Sequence, residues 1–221
     1  MTSNRHNRTD EDAVLDAARD SVLAVGVRRT TLTDIARRAG VSRMTLYRRW
    51  PDVRTLVGDL MTREWLAVAA AVTPPFDGAN PMSERSGPPD ERRGRAPHEQ
   101  GRPGRATVVD SLIAGARAFR EHPLLRKIVE VDPELLLPYI LDRRGASQEA
   151  ILGLFEATLR AGHADGTIRP AHPARQARTV LLIVQSFVLS GPTMTSSSDP
   201  DLTAAAFDGE LRHILERTLA P

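Results

Sequence analysis

The chain has 221 residues, 41% of them hydrophobic and 26% charged, with no cysteine and a formal net charge of +2. That apolar content suits one large domain or two smaller ones and excludes wholesale disorder. The absence of thiols removes disulfides, thiolate nucleophiles, iron–sulfur ligation and cysteine-based zinc sites together. The small net charge hides a cluster: between Arg28 and Arg54 eight arginines stand against Asp34 and Asp52, a local +6. Such a patch is the electrostatic footprint of a phosphate-backbone partner. Met1 to Asp20 is polar and lacks a signal-peptide core. The longest apolar run, Val180 to Leu189, is interrupted by Gln185 and Ser186 and is too short to span a bilayer. A cytoplasmic protein with no membrane partner is expected.

Residues 1–9 read as a disordered arm. The first helix follows from a cap at Asp10, with Val14, Leu15, Ala18 and Val22 in one apolar stripe and Gly26 as its stop. Thr31, three residues before Asp34, opens a short helix whose apolar face is Leu32, Ile35, Ala36 and Ala39. Gly40 ends it in a tight turn anchored by Val41. Ser42 caps the next helix, Arg43 to Arg49, and Pro51 and Asp52 start another that runs to about Val72.

Residues 74–105 hold seven of the sixteen prolines and five glycines, and read as a long flexible loop. Helical patterning returns at about 106–121, 124–130, 134–143, 147–161, 173–190 and 201–218. Pro138 should kink or divide the third of these. Val180 to Val184 is β-prone, but Pro173 at the start and Gly191-Pro192 as the stop favour one long helix, apolar nearly all round. No stretch alternates with period two, so the fold class is all-α.

Two short helices joined by a glycine turn describe a helix-turn-helix. Ile35, Ala36, Val41 and Leu46 fix the crossing, which leaves Arg43, Met44, Thr45, Tyr47 and Arg48 on the outer side of a helix narrow enough for the major groove. Thr33 and Ser42 sit at helix N-termini, where free N–H groups favour a phosphate. Arg28, Arg29, Arg37, Arg38 and Arg54 flank the surface. Arg37 and Arg38 suit backbone steering or an ordinary solvated face equally, Arg49 can pair with a carboxylate, and Trp50 reads as core.

The run from Thr30 to Pro51, Thr-Thr-Leu-Thr-Asp-Ile-Ala-Arg-Arg-Ala-Gly-Val-Ser-Arg-Met-Thr-Leu-Tyr-Arg-Arg-Trp-Pro, resembles the DNA-binding domain of TetR/AcrR-type transcriptional regulators. The resemblance covers about residues 10–60. It implies a three-helix helix-turn-helix domain over 10–55 and a helical effector-binding and dimerisation domain over 56–221. It further implies a homodimer on a palindromic operator, released as a repressor would be by a small-molecule effector. By position, Thr33, Ser42, Arg43, Thr45, Tyr47 and Arg48 would touch double-stranded DNA, with Tyr47 on a phosphate and Arg43 and Met44 at base edges. Two departures stand out. Met44 occupies a place where many members carry a small residue, and Val53 stands where many carry a phosphate-contacting lysine, with the charge one residue later at Arg54.

For the effector, the inward-facing candidates are Trp65, Phe119, Tyr139, Ile151, Phe155 and Phe187, with Gln185, Glu130 and Tyr139 as polar contacts. Few aromatics and little buried charge point to an apolar or amphipathic compound. The dimer interface is expected on the last two long helices, through Leu181, Val184 and Val188 on one and Phe207, Leu211, Ile214, Leu215 and Thr218 on the other. None of the six histidines pairs with another at a metal-ligand spacing, and no catalytic constellation or cofactor motif appears, so neither metal nor cofactor nor enzymatic activity is expected. Two other readings remain at this level. One is a helical scaffold whose arginine patch meets an acidic protein; the other is a small-molecule enzyme that keeps a helix-turn-helix.

Overall fold

The computed structural model describes residues 3–73 and 104–221, with side chains from Asp10 onward. Among the described residues the secondary structure is helical throughout. The chain divides into two compact units. One is built from the residues up to Ala70 and from Arg117–Ile151; the other takes the described residues between Ala71 and Ala116 and Leu152–Pro221.

In the first unit α1 spans Ser3–Val25, α2 Leu32–Ala39, α3 Arg43–Arg49 and α4 Val53–Val72. The helix α1 begins seven residues ahead of Asp10, so the arm expected over 1–9 is helical from Ser3; no glycine or proline interrupts Ser3–Val25, and a capping preference alone does not stop a helix. Gly26 ends α1 at φ 81°, and Gly40 ends α2 at φ 70°, both in the left-handed region that a side chain resists. Thr31 caps α2 by accepting from the Asp34 N–H at 3.1 Å. The expected start of α4 shifts by one step. Asp52 is its cap, accepting from the Thr55 N–H at 2.7 Å, and Pro51 lies outside the helix.

Helix α1 packs against α2 and against α6 (Pro123–Val131), and α2 against α3. The apolar stripe read from the sequence is the packed one: Val14, Leu15, Ala18 and Val22 are buried, as are Leu32, Ile35 and Ala36 of α2 and Leu46 of α3. Burying each valine, leucine or isoleucine of this set stabilises the unit by roughly 1.5–3 kcal/mol, and each alanine by less. The helix α5 spans Arg105–Glu121 and α6 Pro123–Val131; a 3-10 turn over Pro133–Leu135 leads to α7, Leu137–Leu141. Pro138 sits in the first turn of α7, so it divides the expected 134–143 helix into two short pieces.

The second unit has a continuous apolar core. It includes Val109, Leu112 and Ile113 of α5, Leu152 and Leu159 of α8 (Ala146–Ala164), Ala177 and Val180 of α9 (Pro173–Leu189), and Leu211, Leu215 and Leu219 of α11 (Ala204–Leu219). The helix α9 stops just ahead of Gly191-Pro192, as expected, and that pair also opens a single helical turn, α10 (Gly191–Met194), because a proline fits a first turn as readily as it follows a last one. Residues 74–103 of the expected flexible loop lie outside the described residues; Arg105, its last residue, is already helical. No described helix is long and apolar enough to cross a membrane.

Candidate nucleic-acid interface

The seven residues of α3 have one side fixed by burial. Leu46 is 1% exposed, and Trp50, whose N–H closes the helix onto the Leu46 carbonyl at 2.8 Å, is 3% exposed. The Trp50 indole N–H is satisfied by Asp59 Oδ2 at 2.9 Å, as a buried indole requires. With that side inward, the helical repeat of 3.6 residues turns Met44 and Arg48 about 160° away from Leu46, and Thr45 and Tyr47 about 100° away on opposite flanks. The exposures agree: Met44 is 81% and Tyr47 48% exposed, and Arg43, Thr45 and Arg48 are all exposed.

The N-terminus of α3 is held by its own hydroxyls. Ser42 Oγ accepts from the Thr45 N–H at 3.1 Å and lies 2.8 Å from Thr45 Oγ1. One hydroxyl donates to the other, which leaves one proton of the pair for an outside acceptor. Thr33 is part-buried in the first turn of α2, and Arg54 is exposed in the first turn of α4.

Ion pairing sorts the arginine patch into two groups. Arg28 is taken: its guanidinium binds Glu134 Oε1 at 2.7 and 2.9 Å and lies 3.4 Å from Asp132 Oδ1. The Glu134 hydrogen bond holds the Arg28 pKa above its ordinary value. The Glu134 carboxylate sits below its own, first through its backbone N–H and then through Arg28. Arg37 pairs with Asp34 at 2.9 Å within α2, and Arg49 with Glu11 at 3.2 Å while lying over the Trp50 ring. Among the described residues no carboxylate lies within ion-pair distance of Arg29, Arg38, Arg43, Arg48 or Arg54. Of the flanking set read from the sequence, Arg28 and Arg37 therefore already hold a carboxylate, Arg28 through acidic residues more than a hundred positions away, while Arg29, Arg38 and Arg54 hold none among the described residues.

Those acidic residues were not legible as functional. Asp132 is 1% exposed and accepts from the Val27 N–H at 2.7 Å, just after the Gly26 turn that joins α1 to α2. A second polar knot ties α1 to α4 and to the start of α6: Glu64 meets Arg19 at 3.1 Å, Arg63 at 2.9 Å and His122 Nε2 at 3.4 Å. His122 Nδ1 accepts from the Leu124 N–H at 3.3 Å, and its ring stands edge-on to Trp65 with centroids 5.3 Å apart.

A sequence profile of bacterial regulatory proteins of the tetR family matches residues 14–60. An HTH-type transcriptional regulator of Mycobacterium bovis is 34% identical over 216 residues, 97% of this chain and 97% of the relative. One from Mycobacterium tuberculosis is 33% identical over the same span. This chain belongs to the TetR family. It is a transcriptional regulator with a DNA-binding helix-turn-helix, from a family of regulators rather than enzymes. Solved structures agree on the fold. The R. erythropolis repressor QsdR superposes with this regulator at a TM-score of 0.62 and 15% identity, covering 95% of this chain and 94% of its own. FadR, the fatty acid degradation regulator of Bacillus halodurans, gives 0.57 at 13% identity over 93% of both chains. SmeT, solved as a triclosan complex, gives 0.55 at 20% identity over 96% of this chain and 92% of its own.

The other expected site residues of this regulator fall as follows. In the first unit Trp65 is buried and meets Phe119 edge-on at 5.7 Å. Tyr139 lies against Gly145 and beneath Arg143, and Ile151 is part-buried. Phe155, Gln185 and Phe187 belong to the second unit, and Glu130 is exposed on α6. Of the expected dimer contacts, Leu181, Val184, Val188, Phe207, Ile214 and Thr218 remain partly exposed. Leu211 and Leu215 do not: both are fully buried in the chain's own core, because with Leu219 they form one stripe at a spacing of four. On α9 the large apolar side chain left open is Leu182, 68% exposed. No three of His, Asp or Glu among the described residues gather to hold a metal ion.

Proposed function

We infer that this regulator reads a palindromic operator as a homodimer, laying α3 of each subunit in the major groove. Arg43 and Met44 then meet base edges, and Ser42, Thr45, Tyr47 and Thr33 meet phosphates. Arg48 and Arg54 add further contacts, Arg54 in the place of a lysine at Val53. The observation that carries the reading is the outer face of α3, where Arg43, Met44, Thr45, Tyr47 and Arg48 are all exposed and both arginines lack a carboxylate partner among the described residues. Unneutralised guanidinium groups on a narrow, well-capped helix match the charge and width of the groove. The test is fluorescence-anisotropy titration of the chain with duplex from upstream of its own coding sequence. Binding at least tenfold tighter than to scrambled duplex of equal length supports the reading, and equal affinity for both overturns it.

The dimer face proposed is the open side of α9 around Leu182, with Leu181, Val184 and Val188, and the edge of α11 formed by Phe207, Ile214 and Thr218. An exposed leucine beside partly buried apolar side chains suits a second copy of the same surface. In this reading the effector is apolar or amphipathic, it acts by releasing a repressor, and the protein works in the cytoplasm. Trp65, Phe119, Tyr139 and Ile151 in the first unit, and separately Phe155 and Gln185 in the second, are its proposed contacts. The capture of triclosan by SmeT and the fatty-acid theme of FadR lend support to that chemistry.

A further inference from the structure

The apex of α3 is not a charged side chain. Met44 has the largest exposure of any big apolar side chain among the described residues, 81%. It stands about 160° around the helix from buried Leu46, on the same ridge as Arg48 one turn further on. No core contact holds it there. An unbranched thioether adapts its shape to an apolar partner but offers almost nothing to a hydrogen-bonding one. The base edges of the major groove carry donors and acceptors throughout and a single apolar group, the C5-methyl of thymine. Against guanine, adenine or cytosine the Met44 tip would strip water from polar atoms without replacing their hydrogen bonds. Against the thymine methyl it buries apolar surface on apolar surface.

We propose that Met44 selects thymine, by its 5-methyl group, at the base pair beneath the centre of α3 in each half-site. This rests on the groove-reading role of α3 argued above and adds the base chemistry that its apex takes. The thioether supplies selectivity at that one position, while Arg43 and Arg48 supply charge beside it.

The experiment begins with a duplex that the full chain selects from a randomised pool. Each thymine in both half-sites is then replaced in turn by deoxyuridine, which removes only the methyl group, and affinity is read by fluorescence anisotropy. One thymine per half-site is expected to matter, with binding about fourfold weaker for one replacement and roughly 15-fold for the symmetric pair. Met44→Ala is expected to be indifferent to the same replacement. Met44→Gln, similar in length but carrying an amide, is expected to shift the selected base from thymine towards adenine. Matching unfolding midpoints for the variants and the wild type keep misfolding out of the comparison. An enriched duplex with no methyl-sensitive thymine, or a Met44→Ala variant that keeps the sensitivity, overturns the assignment of Met44 alone. A pool that yields no enriched duplex overturns the groove reading and this assignment with it.

Discussion

Gly26 and Asp132 show how much of the first unit depends on single atoms. A Cβ at Gly26 would sit 2.9 Å from Val131 Cγ1 and 3.0 Å from Asp132 Oδ2, and φ of 81° disfavours any side chain before those contacts are counted. Gly26→Ala should therefore destabilise the chain by about 1–3 kcal/mol, read as a lower urea midpoint. An unchanged midpoint would show that the turn has room to relax. Asp132 and Glu134 both meet Arg28, yet their deletions should differ. Asp132→Ala leaves the buried Val27 N–H without its acceptor, at a cost of about 1–3 kcal/mol. Glu134→Ala removes only an exposed, solvent-screened ion pair and should lower the midpoint less. Equal losses would mean that the Arg28 charge, rather than the Val27 amide, is what Asp132 serves.

At the scale of helices, what was legible depended on how far apart the interacting residues lie. Thr31 with Asp34 and Ser42 with Thr45 are three-residue devices, and the sequence places both within their own windows. Asp132 is tied to Val27 across 105 positions, and nothing near either residue points to the other. Prolines were ambiguous for a related reason: Pro138 and Pro192 open short helices, a role that looks the same in sequence as following one. The outer face of α3 was readable from periodicity alone, whereas the pairing of Arg28 with distant carboxylates was not. The capping of α6 by His122 carries a pH consequence. Burial, and secondarily Arg19, push the His122 pKa below its ordinary value despite the opposing pull of Glu64. The folded chain thus binds this proton less readily than the unfolded one, so His122 contributes stability in full above the usual histidine range of about 6.5 and loses it as pH falls through that range. Protonation also removes the Nδ1 lone pair that accepts from Leu124. The melting temperature should fall between pH 7 and pH 5.5, and fall less in His122→Asn, whose amide oxygen can cap α6 at either pH. Identical slopes for the two proteins would assign the acid sensitivity elsewhere.

Across the whole molecule, the charge that is present differs from the charge that is free to meet DNA. Formal net charge is only +2, and the arginine cluster looks from sequence like a uniform patch. Ion pairing breaks that uniformity: Arg28 and Arg49 already hold carboxylates, while Arg38 and Arg48 hold none among the described residues. Only a cation that replaces a condensed counterion on DNA contributes to the salt slope of binding, at about 0.9 per phosphate contact. If the dimer makes six to ten such contacts, affinity for duplex should fall roughly 10³–10⁵-fold between 50 and 200 mM salt. The variants should then separate by pairing, not by distance along the chain. Arg38→Ala and Arg48→Ala should each flatten the slope by about 1–2, since a dimer loses the group twice. Arg28→Ala should leave the slope unchanged, because its charge is balanced by Glu134 before DNA arrives. Titrations of the four proteins at several salt concentrations decide the matter. A slope that drops equally for Arg28→Ala and Arg38→Ala would show that DNA breaks the Arg28–Glu134 pair and draws on the whole cluster.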